Sequence, residues 1–232
     1  MENRTMTTQA LQVSESGFLS KVFLWMAFGL AVSAAGSFWL LSQPNLLAAV
    51  VKNQWIFFGL VIAELGLVIW LSAAAQRMSA GLATVVFLVY SFLNGVTLSP
   101  IFLVYTGASV LSTFGITAGT FFFFSLYGLT TKKDLTSLGG LMVMGLFGVI
   151  LASIVNIFLK SSTLNWIVTF IAIAVFLGLI AYDTQKLKRI HATGFESEEA
   201  QKKVVILGAL ALYLDFINLF IQLLKLFGKR RD

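Results

Sequence analysis

The sequence predicts an all-α integral membrane protein of about seven transmembrane helices, and three observations carry that expectation. Only 11% of the 232 residues are charged and 58% are hydrophobic, whereas a soluble domain is roughly a quarter charged. Charge-free stretches run from Val22 to Val51 and from Met78 to Thr131, each longer than the roughly twenty residues that cross the hydrocarbon of a bilayer. The basic residues sit in short clusters between apolar runs, as they do in loops at a membrane surface. So little charge cannot coat a soluble surface. Lipid accepts outward-facing apolar side chains, provided that the backbone satisfies its own hydrogen bonds.

Taken in order, the first span is Val22–Leu41, closed by Pro44 and Asn45. The second runs from Gln54 to Ala75 and is interrupted only by Glu64; Arg77 follows in a turn. The third and fourth, Gly81–Tyr105 and Val110–Leu129, divide at Thr106–Ser109. The third contains Ser99-Pro100, where proline removes one backbone bond and kinks a helix. Lys132-Lys133-Asp134 marks the next turn. The fifth and sixth spans are Leu138–Leu159 and Leu164–Asp183, separated at Lys160-Ser161-Ser162. A charged loop covers 184–203, and the last span is Val204–Phe227 with Asp215 at its middle.

The domain plan is simple: a cytoplasmic tail over 1–20, one membrane domain over 21–228 with its inner loop at 184–203, and a basic tail over 229–232. With the N-terminus inside, the inner side holds Arg4, Lys21, Arg77, Lys132, Lys133, Lys186, Lys188, Arg189, Lys202 and Lys203, while only Lys52 and Lys160 face out before the tail is counted. That bias places the N-terminus in the cytoplasm. The tail runs against the rule if the last helix spans fully and obeys it if that helix is re-entrant. The start does not read as a secretory signal, because the apolar run after Lys21 outlasts the roughly 7–15 residues of a signal core.

Composition also excludes chemistry. No cysteine is present, so disulfides and thiolates are out, and one histidine, His191, cannot build a histidine-rich metal or haem site. The net charge of +6 sits in loop clusters, so no nucleic-acid partner is expected.

The chemistry-bearing residues are acids inside apolar spans. Of ten acidic residues, Glu64, Asp183 and Asp215 lie in or at the ends of spans. Inserting a charge at the bilayer centre costs roughly 2.5–3.5 kcal/mol, so such a group turns towards a partner or a water-filled path. The plain alternative is a structural helix-to-helix hydrogen bond or, for Asp183, an interfacial acid touching water. Asn218 and Gln222 follow Asp215 at i+3 and i+7, on one face of the helix. If Asp183 meets Asp215, both cannot ionise cheaply, and the pair tends to hold a proton between them. Glu64 lines the same path or pairs with a polar group such as Asn94, and Arg77 is a possible countercharge for the aspartates. Oxygen ligands alone suit a hard cation such as Ca²⁺.

At these residues the sequence resembles the Bax inhibitor 1 family, the transmembrane Bax inhibitor motif proteins, and within it the bacterial inner-membrane branch. The resemblance rests on AYDTQKLK around Asp183, ALYLDFINLFIQLLKLFG around Asp215, YGLTTKKDLTSLGG (Tyr127–Gly140) and LNGVTLSPIF (Leu93–Phe102). It implies six helices wrapped around a central C-terminal one, and a pH-sensitive calcium leak gated by an aspartate pair. The pair carries over to Asp183 and Asp215, and the basic partner to Arg77. Calcium is then the transported ion and no cofactor is implied; the partners are the bilayer, calcium ions and protons. Some bacterial members bind and restrain a membrane protease, which gives an interaction protein as the alternative. An enzyme is not expected: intramembrane aspartyl proteases carry Gly-x-Gly-Asp, and here Leu212-Tyr213-Leu214 precedes Asp215.

Overall fold

The computed structural model describes residues 2–74 and 77–231, with side chains from Glu15 onward in the first helix. Ala75, the expected end of the second span, lies outside the described residues, as do the side chains of Glu2 and Arg4. The described chain is helical without strands: α1 (Glu2–Leu41), α2 (Pro44–Lys52), α3 (Gln54–Ala74), α4 (Ala80–Leu98), α5 (Ile101–Val104), α6 (Gly107–Thr130), α7 (Thr136–Leu159), α8 (Ser162–Thr193) and α9 (Glu198–Phe227). Seven segments are long and apolar enough to cross a membrane, with α4 and α5 counting as one.

The chain divides into two compact units. Unit 1 holds the residues up to Val104 and Ile190–Tyr213; unit 2 holds Tyr105–Arg189 and the residues from Leu214 on. In unit 1, α1 and α4 approach closely because small residues face one another. A Cβ on Gly95 would strike the backbone of Ser33, one on Gly36 would strike the carbonyl of Phe92, and one on Gly29 would strike the ring of Phe87. Ser33 Oγ donates to the carbonyl of Ser91 at 2.7 Å, and Ser37 Oγ to that of Gly95 at 2.6 Å. In unit 2 the same device joins α6 to α8, where Gly128 abuts the backbone of Ala181, and α7 to α8, where Gly139 lies under the ring of Tyr182. The rest of α7 shows its large side chains outward, among them Met144, Phe147 and Leu151, as a helix bathed in lipid does.

Three elements depart from the sequence expectation. The stretch after Pro44 is helix α2, since proline at the first helical position is preorganised for a helix; Val50 of α2 is buried against Leu40 and Val96. The third span breaks at Pro100 into α4 and α5, with Ser99 Oγ donating back to the carbonyl of Val96 at 2.8 Å. The charged stretch 184–203 is mostly helix. After Asp183, α8 continues for ten residues with Thr184, Gln185 and Leu187 buried and Lys186 exposed, a two-faced pattern that packs one side and wets the other. Gly194, with φ of 79°, stops it, and α9 starts four residues later with Glu198 and Glu199 in its first turn, where the helix dipole favours acids.

The last helix is long enough to span fully. At 30 residues it is about 45 Å long at 1.5 Å per residue. The tail beyond it is pinned to the turn before α6: Thr106 N–H donates to the carbonyl of Lys229 at 3.1 Å, Lys229 N–H donates to Ser109 Oγ at 2.8 Å, and Tyr105 bridges Arg230. The basic tail therefore shares its side with the turn between the third and fourth spans.

Replacing Gly95 by alanine pushes a methyl into immovable backbone of Ser33, so the variant loses about 1–3 kcal/mol, seen as a lower melting temperature in detergent. Gly115→Ala in α6, where nothing lies within 4 Å of the new methyl, is neutral or slightly stabilising.

Candidate functional site

Two buried polar constellations occupy the spans, one in each unit. In unit 2, α8 brings Asp183 and the second half of α9 brings Asp215, and their carboxyl groups lie beside one another. Asp215 is 5% exposed, and its Oδ2 finds no donor among the described residues. Two carboxyl groups make a hydrogen bond only when one carries a proton, since a bare carboxylate can only accept. Asp183 is half-buried and feels the ammonium of Lys186 one turn on, which also sits 5.9 Å above the ring of Tyr182. Around the pair, Phe216 lies 5.6 Å from Phe121 and 5.2 Å from Phe114 of α6, ring centre to ring centre.

In unit 1 a hydrogen-bonded row starts at Glu64, which α3 presents buried towards α4. Asn94 Nδ2 donates to Glu64 Oε2 at 3.0 Å, and Thr97 Oγ1 donates to Glu64 Oε1. Asn94 Oδ1 accepts from the hydroxyl of Tyr213 at 2.9 Å, and that hydroxyl lies 2.6 Å from Ser33 Oγ. Tyr213 has one proton and gives it to Asn94, while the single proton of Ser33 is shared among the Tyr213 oxygen and the carbonyls of Ser91 and Gly29. From Tyr213 onward the donors point towards Glu64, an order in which each bond polarises the next. Phe87 and Tyr90 stand edge-on to the fully buried Tyr213 ring, at 5.9 and 5.8 Å.

The predicted residues are thus distributed between two settings. Asp183 and Asp215 touch. Asn218 is on the Asp215 helix, but its amide donates to its own helix at Leu214, and Gln222 accepts from Lys225 at 3.4 Å. Glu64 and Asn94 bond to each other in unit 1, and Arg77 stands exposed in the turn leading to α4. Sequence reasoning missed Thr97, Tyr213, Ser33 and Lys186. Thr97 was findable at i+3 from Asn94, and Ser33 in the row Gly29, Ser33, Ser37. A tyrosine inside a span signals a buried hydroxyl partner.

A latch holds the C-terminal part of α8. Arg189 donates to Asp134 Oδ1 at 2.6 Å and to Thr136 Oγ1 at 2.7 Å, and also to Gln185. Gln185 in turn donates to the carbonyl of Lys133 and accepts from Leu135 N–H, both at 2.9 Å, and Lys188 caps the carbonyl of Leu129 at 3.0 Å. The hydroxyl and backbone N–H of Thr136, followed by the guanidinium of Arg189, hold the carboxyl of Asp134 down at about 2. The turn Lys132–Asp134 is thereby tied to α8 only a few residues from Asp183.

Known proteins of similar sequence match nearly the whole chain. The family model described as "Inhibitor of apoptosis-promoting Bax1" matches residues 15–232. The chain is 48% identical to the inner membrane protein YbhL of Escherichia coli K12 over 215 residues, 92% of each chain. It is 41% identical to the Rickettsia prowazekii protein RP147 over 93% of this chain and 90% of that one. An uncharacterized membrane protein of Streptococcus pyogenes serotype M1 is 35% identical over 99% of both.

Two measurements probe these contacts. Tyr213→Phe leaves Asn94 Oδ1 buried without its donor, which costs about 1–3 kcal/mol and lowers the melting temperature in detergent, while Tyr90→Phe, outside the row, lowers it less. The Asp134 carboxyl lies below its unfolded value near 4, so its contribution is present above about pH 4 and is lost as pH falls towards 2. Wild type therefore melts above Asp134→Asn at pH 6, and the gap closes on acidification and shrinks in high salt, because the group is exposed.

Proposed function

The chain belongs to the Bax inhibitor 1 family, and from that premise we propose that it is a pH-sensitive calcium leak of a bacterial inner membrane, gated by a proton that Asp183 and Asp215 share. One observation carries the reading: two carboxyl groups meet inside spanning helices, one of them buried with an oxygen that no donor among the described residues reaches. Two bare carboxylates about 4 Å apart repel by about 4 kcal/mol at an effective dielectric near 20. A proton between them removes the repulsion and supplies the missing donor. While it is held, α8 and the second half of α9 are tied together at the pair; when its occupancy changes, the tie is released. The oxygens so freed suit a hard cation, with Ca²⁺ as cargo and no resident cofactor or catalytic residue assigned.

The N-terminus is assigned to the cytoplasm, because ten of the sixteen basic residues stay on that side even with the tail counted outside. Glu64 belongs to a different role. Both its oxygens are occupied by neutral donors, so it holds α3 to α4 and stands ready as an ion contact only if that row opens.

Purified protein in calcium-free liposomes passes Ca²⁺ down its gradient with no other protein present, and the flux varies with pH near neutrality. Asp183→Asn or Asp215→Asn nearly preserves shape and flattens that dependence. His191→Ala leaves it intact, since His191 is stacked on Phe18 at 4.9 Å and serves packing. A flat response in His191→Ala with a normal one in both asparagine variants would move the sensor to the histidine. Tight liposomes together with a copurifying membrane protease would turn the reading to the interaction protein.

A further inference from the structure

Where α4 and α9 begin, unit 1 carries a cavity of about 410 Å³ whose walls come from α1, α4 and α9. Its polar side has Lys21 from α1 and Lys202 from α9, and its apolar side has Trp25, Val205 and Ile206. The first turn of α4, at Ala80 and Gly81, forms a third wall. That helix start already attracts carboxylate oxygen: Ala80 N–H donates to Glu199 Oε1 at 2.5 Å, as the positive end of a helix dipole does.

The two kinds of wall ask for different things of one ligand. Two ammonium groups call for an anion, whereas a tryptophan and two branched aliphatic side chains give a free inorganic anion nothing to bind. An amphiphile with an anionic head and an apolar tail satisfies both. The placement agrees: Lys21 directly precedes the first apolar run, Lys202 lies in the first turns of α9, and lysine and tryptophan are the side chains that hold the boundary between hydrocarbon and water. We propose that this cavity binds the phosphodiester head of an acidic membrane phospholipid, with Lys21 and Lys202 as its cationic contacts and Trp25, Val205 and Ile206 beside the start of an acyl chain.

Glu198 is the built-in competitor. It also lines the cavity and pairs with Lys202 at 2.8 Å, with 60% of the lysine and 78% of the glutamate side chain exposed. An ion pair so exposed is weak, so a phosphodiester held by a second lysine displaces it.

The test uses purified full-length protein in nanodiscs of phosphatidylcholine with a minority of phosphatidylglycerol, and native mass spectrometry to count the lipids retained on release. Wild type keeps phosphatidylglycerol over phosphatidylcholine, and adding that lipid raises the melting temperature. Lys21→Gln with Lys202→Gln lowers the preference by about thirtyfold, the order expected of two interfacial lysines, and abolishes the melting shift. Its melting temperature in pure phosphatidylcholine matches wild type and reports that it is folded. Glu198→Gln frees Lys202 and strengthens the preference, an effect that general attraction of a basic surface to acidic lipid does not demand of this one position. Lys132→Gln with Lys133→Gln, two lysines outside the cavity, leaves retention unchanged. The assignment is overturned if that second pair matters as much as the first, if Glu198→Gln weakens retention, or if soluble glycerol phosphate competes the lipid away. The last result would make this a site for a free phosphate.

Discussion

The constraint on which the structure depends is that hydrocarbon offers no partner to a polar group. A side chain with an oxygen or an amide must find its bond on another helix or on its own backbone. In unit 1 this makes Glu64 the anchor of a row that passes through Asn94 and Tyr213 to Ser33, so that α3, α4, α9 and α1 are held by three consecutive hydrogen bonds or contacts, with Thr97 adding a further bond at Glu64. In unit 2 the facing carboxyl groups of Asp183 and Asp215 set α8 beside α9. Apolar surface cannot do this, since lipid tails solvate leucine as well as a neighbouring helix does. The polar contacts fix which helices touch and at what height. Close backbone approach adds van der Waals contact at other interfaces, between α1 and α4 at Gly95 and between α6 and α8 at Gly128.

Outside the spans water is available, and the bonding changes character. The latch around Asp134 is redundant, exposed and charged at Asp134 but buried at Gln185: Arg189 alone reaches Asp134, Thr136 and Gln185. Each bond is individually weak in water, but together they fix a short turn against the extension of α8. The same extension that forms the latch also carries Lys186 beside Asp183. A helix that ended at Asp183 would leave the pair on a frayed terminus; the added ten residues make it an interior position.

Much of this was legible in the sequence, for physical reasons that also explain what was not. Long charge-free runs located the seven spans, because hydrocarbon thickness sets a length that composition reveals. Pro100 announced the break that separates α4 from α5. The stretch 184–203 misled because charge reads as loop, although a helix leaving a membrane is free to be charged on one face. Asp183 and Asp215 stood out as acids in greasy surroundings. The row that holds Glu64 was half visible: Asn94 is polar in a span and drew notice, whereas Tyr213 and Ser33 look apolar enough to pass, and 180 residues separate them. Contacts at that sequence distance have no periodicity to betray them.

The two sets of buried acids differ in what completes their bonding, and that difference assigns their work. Glu64 accepts from an amide and a hydroxyl, neutral donors that keep their protons at any pH the cell meets. Its bonds do not depend on proton supply, so it suits a permanent joint. Asp215 faces another carboxyl, and its buried oxygen has no fixed donor. Among the described residues no donor completes that contact, and a proton held by the pair would do so, exchangeable and following the pH. A joint made of a glutamate with neutral donors is structural by construction, while a joint made of two acids holds only as long as its proton does. In the proposed leak the first keeps α3 and α4 together through the cycle, and the second is the element that lets go.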